Sequence, residues 1–339
     1  MKPLLLLGLL ALTACKNQTP ILTFQKGVNL EGWLQYPPFE ALSKEHLSEL
    51  QEVQKQGFDF VRVPIDPGFF LDQDSISAFD SLKSLLDTAQ QNNLKVILDF
   101  FPDEDTLKLP ILKEENSFQV YLALLEKFSE WLKPFPEVAL ELMDEPFDPS
   151  RDDCEPSAFH WEDLQNQMLS AVRKGNQDLT VVLSGDCFSG MDALMNLTPL
   201  QDKRVVYTFH YFERPIFTQQ GTDLYGFTEH LKNVPYPASS MNPDQLLKTV
   251  PEEQQSRVKE RLEKYQGFGS ETIQREFAEV AAWSKDHQVA VLLGAYGVHQ
   301  NAPAQDRQQW LQDVQAAAEK HGFAHAVWAW NGDYRMPRP

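Results

Sequence analysis

Eight short runs rich in β-branched and aromatic residues recur along the chain, at residues 27–34, 58–66, 95–101, 138–146, 180–188, 204–212, 289–297 and 324–333. Helical patterns separate most of them, at 43–56, 79–93, 118–132, 158–174, 270–287 and 304–321. The first helix carries Leu47, Leu50 and Val53 at spacings of three to four, and Gly57 stands where a C-cap belongs. Strand and helix in alternation predict parallel strands with helices outside. Near-continuous apolar segments such as Val96-Ile97-Leu98 fit a sheet buried on both faces. Eight units predict an α/β fold closed into a (β/α)8 TIM barrel, with an open doubly wound sheet as the alternative.

The connection at 213–269 is long, with Pro215, Pro235, Pro237 and Pro251 before a charged helical stretch at 252–265. It predicts an elaborated wall or lid after strand six. Hydrophobic residues make up 42% of the 339, which supports a large core. With 30 Lys+Arg against 49 Asp+Glu, the formal net charge is −19. That excess disfavours nucleic acid and anionic lipid surfaces, since both are polyanions. Three cysteines are too few for a disulfide-built scaffold.

At the start, Lys2 precedes an apolar run at 4–12 that is too short to span a bilayer. The run ends in Leu12-Thr13-Ala14-Cys15, followed by the polar Lys16-Asn17-Gln18-Thr19. This resembles the lipobox of bacterial lipoproteins, which implies that Cys15 is acylated and anchors an exported protein in the cell envelope. Lys16 after the cysteine resembles signals sorted onward to an outer membrane. Residues 1–14 are then a signal peptide, 15–25 a tether and 26–339 one barrel domain, touching the membrane only through Cys15. A plain secretory peptide is the alternative. In an oxidising compartment Cys154 and Cys187 either pair or stay as free thiols, and both options stand.

Polar residues gather at the ends of the predicted strands: Asn29, Glu31, Arg62, Asp99, Asp144, Glu145, Asp186, His210, Asn331 and Asp333. In a TIM barrel those ends form the active-site face. The eight histidines show no paired spacing such as His-Glu-x-x-His, and neither a phosphate loop nor a Gly-x-Ser-x-Gly elbow occurs. No metal, nicotinamide, flavin or other cofactor is expected. Oligomeric state is not indicated.

The strand ends also spell a pattern. Lys26-Gly27-Val28-Asn29-Leu30 is followed by Phe58-Asp59-Phe60-Val61-Arg62-Val63-Pro64 and Val96-Ile97-Leu98-Asp99. Then come Leu140-Glu141-Leu142-Met143-Asp144-Glu145-Pro146, Tyr207-Thr208-Phe209-His210-Tyr211 and Trp328-Ala329-Trp330-Asn331. In this order the motifs resemble glycoside hydrolase family 5, the cellulase-like retaining β-glycosidases, over residues 24–333. Phe217-Thr218-Gln219-Gln220-Gly221 resembles a Phe-Thr-His-Gln-Gly of some exported members.

The family's chemistry needs two carboxyls across the scissile bond, one as acid/base and one as nucleophile. The resemblance implies Glu145 as acid/base. It places the nucleophile position at Ala295, and no Asp or Glu occurs anywhere in 289–300. Other positions depart as well. The family's Asn before the acid is Asp144, an acceptor only when ionised. The strand-three His corresponds to Phe101, and the Tyr that holds the nucleophile to Phe212. Arg62, Glu141, His210 and a strand-eight Trp are kept.

The resemblance therefore implies a lipid-anchored protein that binds β-linked oligo- or polysaccharides and is catalytically impaired. Trp33, Tyr211, Tyr296, Trp328 and Trp330 are expected to stack on sugar rings. Asn29, Arg62, Asp99, Asp144 and His210 are expected to bond hydroxyls. One alternative is an active β-glycosidase in which Glu145 stays the acid while Asp186, Glu213, Asp223 or Asp333 acts as base on an inverting route, or Tyr296 as nucleophile. Another is a structural or partner-binding lipoprotein, which predicts a cleft filled by side chains. As strand neighbours, Asp144 and Glu145 are expected to point to opposite faces unless the strand end twists. The barrel does not choose among glucan, mannan and related polymers.

Overall fold

The computed structural model describes residues 22–71, 75–147 and 160–336. Eight strands form one closed parallel barrel in chain order: β1 (Lys26–Asn29), β2 (Phe60–Ile65), β3 (Lys95–Phe100), β4 (Val138–Glu141), β5 (Thr180–Ser184), β6 (Val205–Tyr211), β7 (Ala290–Tyr296) and β8 (Ala324–Val327). β8 returns to β1 with Ala326 beside Gly27, so the sheet has no edge and the open alternative is set aside. Helices Lys44–Lys55, Ser75–Gln91, Glu115–Trp131, Trp161–Gly175, Ser270–His287 and Ala304–His321 occupy the predicted intervals. Ser43 starts the first by accepting from His46 N at 3.2 Å, and Gly57 follows its end at φ +83°.

Two apolar layers hold the barrel. Inside it, Phe60, Ile97, Ala139, Val182, Val206, Leu292 and Ala326 meet, with Phe24 closing the lower end on Phe60 at 5.0 Å. Gly27 leaves the room that the Phe60 ring takes; a Cβ there would stand 2.3 Å from it. Outside, residues such as Val61, Leu98, Leu140 and Phe209 pack under the helices. Alternation decides the faces. On β6, Val206, Thr208 and His210 turn inward, while Tyr207, Phe209 and Tyr211 turn to the helices.

The strands stop earlier than the apolar runs do. β1 ends at Asn29, β4 at Glu141 and β8 at Val327, so the polar ends of those runs are loop. The long connection after β6 folds against the barrel through helices Pro215–Thr218, Pro243–Leu247 and Glu252–Tyr265. Tyr236 Oη donates to Asp313 Oδ2 at 2.7 Å and ties it to the last helix. Gln219, Tyr225 and Arg261 of this connection form part of the cleft wall, as a wall over the C-terminal face requires. Among the described residues no helix is long and apolar enough to cross a membrane.

Candidate functional site

A cleft of about 1140 Å³ opens at the C-terminal end of the barrel, walled by Glu31, Asp144, Glu145, His210, Ala295 and Trp328 among others. It is open, where a purely structural role predicts a filled one. Its floor is charged. Arg62 on β2 follows Phe60 on the inward face and is fully buried. Its Nε donates to Glu141 Oε2 at 2.7 Å and its Nη2 to Glu141 Oε1 at 2.9 Å. Nη2 also donates to Asp144 Oδ1 at 2.7 Å, and Nη1 to Asn29 Oδ1 at 3.1 Å. Asn29 in turn donates to Gly294 O at 3.0 Å, joining β1 to β7. Asp99 lies 3.1 Å from Nη2 as an ion pair, but its oxygens complete no hydrogen bond among the described residues.

Three carboxyls surround one guanidinium, and they share charge unequally. Burial pushes Asp99 well above the ordinary carboxylate range; Arg62 opposes this, while Asp144 and Glu141 add to it. Burial also acts against Asp144, but Arg62, His210 and Lys108 outweigh it and hold that carboxyl below its ordinary value. Donor atoms of Glu141, Asp144 and His210 lie within 4.8 Å of one another, a spacing that suits a metal ion. Arg62 already touches all three, so a cation there would face a guanidinium.

Glu145 reaches the cleft because the chain leaves strand geometry after Glu141. It takes φ +41°, a left-handed conformation costing a non-glycine residue on the order of 1 kcal/mol. That turn puts Asp144 and Glu145 on the same cleft, where a continued strand would have parted them. His210 Nδ1 lies 2.7 Å from Glu145 Oε1, and His210 Nε2 lies 3.4 Å from Arg62 Nη2. A guanidinium only donates, so Nε2 is the acceptor and Nδ1 carries the proton that Glu145 accepts.

Ala295 is positioned by a bulge. Phe209 pairs with Leu293 but His210 pairs with Ala295, leaving Gly294 as the extra residue. The bulge turns Ala295 to the cleft beside His210. Glycine is required at 294, where a Cβ would stand 2.4 Å from Thr208 Oγ1 and 3.3 Å from His210 Nε2. Phe101 and Phe212 both line the cleft.

Of the residues expected to meet a ligand, Asp144, Glu145, His210, Ala295 and Trp328 line the cleft. Asn29, Arg62 and Asp99 are buried beneath it and are corrected from ligand contacts to supports of Asp144 and its neighbours. Tyr211 and Tyr296 are corrected outright. They flank the inward His210 and Ala295 and therefore face the helices. Tyr211 Oη donates to Glu276 Oε2 at 2.6 Å, and Tyr296 Oη lies 3.0 Å from His325 Nδ1. Burial raises the Tyr296 phenol pKa, and the residue lies outside the cleft lining, so it is not placed to act as a nucleophile. Trp330 turns outward to donate Nε1–H to Glu49 Oε2 at 2.5 Å, and Trp33 is buried against His46.

The aromatic faces of the cleft are instead Tyr36, Phe188 and Tyr225, which are 55%, 43% and 40% exposed. They come from loops after β1, β5 and β6, where no period guides a reading. Phe188 stacks on Phe147 with centroids 4.0 Å apart. Of the carboxylates considered as a base, Asp186 and Glu213 line the cleft; Asp223 and Asp333 do not. Cys187 on the rim takes part in a disulfide. Cys15 and Cys154 lie outside the described residues.

The family model described as cellulase (glycosyl hydrolase family 5) matches residues 24–334. The chain belongs to glycosyl hydrolase family 5. Among its relatives, endoglucanase C of Acetivibrio thermocellus is 21% identical over 326 residues, covering 91% of each chain. Two solved structures share the fold of this family 5 chain. Cellulose synthase subunit Z of Clostridioides difficile superposes with a TM-score of 0.73 at 21% identity, covering 93% of this chain and 94% of that one. Thermotoga maritima Cel5A, solved in complex with cellobiose, has a TM-score of 0.72 at 19% identity, covering 93% and 92%. In this family 5 barrel, the ends of β4 and β7 present Glu145 and Ala295 to one cleft.

Proposed function

We propose that this family 5 protein binds a β-linked glucan or related hexose oligosaccharide and is catalytically impaired. One observation carries the reading: Ala295, the nucleophile position by resemblance, meets the cleft beside His210 with only a methyl group. A retaining glycosidase needs a carboxylate there to attack the sugar carbon. His210 is already engaged with Glu145 at 2.7 Å. On the binding side, a relative is named endoglucanase and a structural neighbour holds cellobiose. Tyr36, Phe188 and Tyr225 offer exposed ring faces in the cleft.

A second reading is inverting hydrolysis with Glu145 as acid and a relocated base. Asp186 and Glu213 support it by lining the same cleft. Burial pushes the Glu213 carboxyl up; Arg214 opposes this, and Glu276 adds to it.

The test is the soluble protein from Lys16 onward, incubated with β-glucan, mannan and xylan oligosaccharides and followed by mass spectrometry. No product beyond that of Glu145→Gln is expected. Cleavage that disappears in Glu145→Gln overturns impairment, and the product anomer then separates inversion from retention. The lipobox-like leader further supports an exported protein tethered through acylated Cys15, at the outer membrane of a bacterial envelope. Cys15→Ser should then move the protein from the membrane to the soluble fraction; unchanged retention on membranes counts against the tether.

A further inference from the structure

A second cavity, of about 650 Å³, lies where the β8 loop meets the last helix, Ala304–His321. None of the residues lining it lines the cleft. Arg307 on the helix and Arg335 on the loop both border it, with Gln305, Gln308 and Asn331. Arg307 Nη2 donates to Arg335 O at 2.5 Å, which fixes the two residues side by side. Arg307 Nε is buried and is out of a ligand's reach. Nη1 is not: it is not enclosed and has no hydrogen-bond partner among the described residues. Arg335 is exposed.

Neither guanidinium forms an ion pair among the described residues, whereas Arg62, Arg173 and Arg214 each do. The acids of the neighbouring segments are engaged elsewhere. Asp306 accepts from Tyr236 N at 3.1 Å, and Asp333 from Gln300 Nε2 at 2.8 Å. Glu49 accepts from Trp330 Nε1 and Asn331 Nδ2. The electrostatics agree. Burial lowers the Arg307 guanidinium pKa from its ordinary value, and Arg335 adds to the fall. At Arg62 and Arg214, which carboxylates do face, the shift is upward. Two like charges thus border one cavity without a paired carboxylate, and an anion between them would relieve the repulsion.

We propose that Arg307 and Arg335 form a binding site for a phosphate or sulfate group in the cavity between the β8 loop and the last helix. A guanidinium offers N–H donors in a planar fork that matches such oxygens in pairs. Two guanidiniums balance the charge of a dianion. Gln305, Gln308 and Asn331 border the same space with further polar groups. The site is local by necessity, since a chain of formal net charge −19 repels anions as a whole. The proposal goes beyond glycan binding and does not rest on it. The group is either a free ion or a substituent on a larger polymer.

Calorimetric titration at about pH 7 and low salt tests the site, with inorganic phosphate, inorganic sulfate and dextran sulfate as probes. Phosphate is expected to bind one site with Kd about 1 mM or tighter. Arg335→Gln and Arg307→Gln should each weaken it at least about tenfold. Arg335 is exposed, so Arg335→Gln should keep Tm within about 2 °C of wild type even if Arg307→Gln does not. Lys55→Gln, on the first helix, removes the same charge far along the chain and should leave phosphate affinity unchanged. Dextran sulfate binding at least about tenfold tighter than sulfate, and lost in Arg335→Gln, assigns the site to a polymer substituent; equal affinity assigns it to the free ion. No saturable binding of phosphate or sulfate below about 20 mM overturns the site. So does unchanged affinity in Arg335→Gln, or an equal loss in Lys55→Gln.

Discussion

His210 on β6 is the ladder partner of Ala295 on β7. The imidazole thus stands beside the position where the family's chemistry calls for a carboxylate, and it is already committed elsewhere. One nitrogen serves Glu145 at 2.7 Å and the other faces Arg62 at 3.4 Å. Both imidazole nitrogens are thus engaged by neighbours other than position 295. Phe212, also in the cleft wall, has no hydroxyl to offer a carboxylate there.

Restoring the carboxylate alone should therefore do little. Ala295→Glu places an anion beside a histidine that is occupied and a phenyl ring that cannot hold it. The pair Ala295→Glu with Phe212→Tyr is expected to hydrolyse an activated aryl β-glycoside at least about tenfold faster than Ala295→Glu. Equal rates in the single and double variants would show that the missing phenol is not what blocks a restored nucleophile.

Arg62 is the sole guanidinium among the described residues that touches Asp99, Glu141 and Asp144 together. Arg62→Met would leave buried carboxyls without their counter-charge and should cost about 3–5 kcal/mol. Urea denaturation at neutral pH measures it. A loss below about 1 kcal/mol at neutral pH would contradict the network's role.

Tyr211 and Phe188 make opposite predictions. Phe188→Ala removes an exposed ring from the cleft and should weaken oligosaccharide binding by about 0.5–1.5 kcal/mol with little change in stability. Tyr211→Phe removes the bond to Glu276 behind the barrel and should cost about 1 kcal/mol of stability with binding unchanged. Affinity titrations and thermal melts on both variants would expose a reversal.

His325 should make the fold acid-sensitive. Burial holds its imidazole down to about 4 from an ordinary 6.5. The folded state keeps it neutral, so its contribution is complete above the unfolded value and is lost as pH falls from about 6.5 toward 4. The loss is on the order of 3 kcal/mol. Denaturation midpoints across that window should fall for wild type and flatten for His325→Gln; parallel curves would assign the acid sensitivity to other groups.

Much of this molecule is written in local pattern. Burial on both faces gives an apolar run, and a 3.6-residue period gives a helix. The eight units and their closure therefore follow from composition along the chain. The absent carboxylate at 295 is a matter of residue identity and needs no coordinates. Even the outward turn of Tyr211 was implicit, since strand alternation sends it away from an inward His210.

Other features arise only when distant segments meet. β8 ends at Val327, so no period foretells that Trp330 turns to Glu49 while Trp328 stays in the cleft. The left-handed turn at Glu145 brings it onto the same wall as Asp144, against strand alternation. Asp99 and Asp144 are the same residue type on neighbouring strand ends, yet burial and Arg62 drive their pKa values in opposite directions. Glu31 Oε2 and Gln35 Nε2 are buried with no hydrogen-bond partner among the described residues, Gly332 backing the former. Periodicity is local and can be read from order alone. Desolvation, charge and hydrogen bonding act through space, and only the folded chain sets those distances.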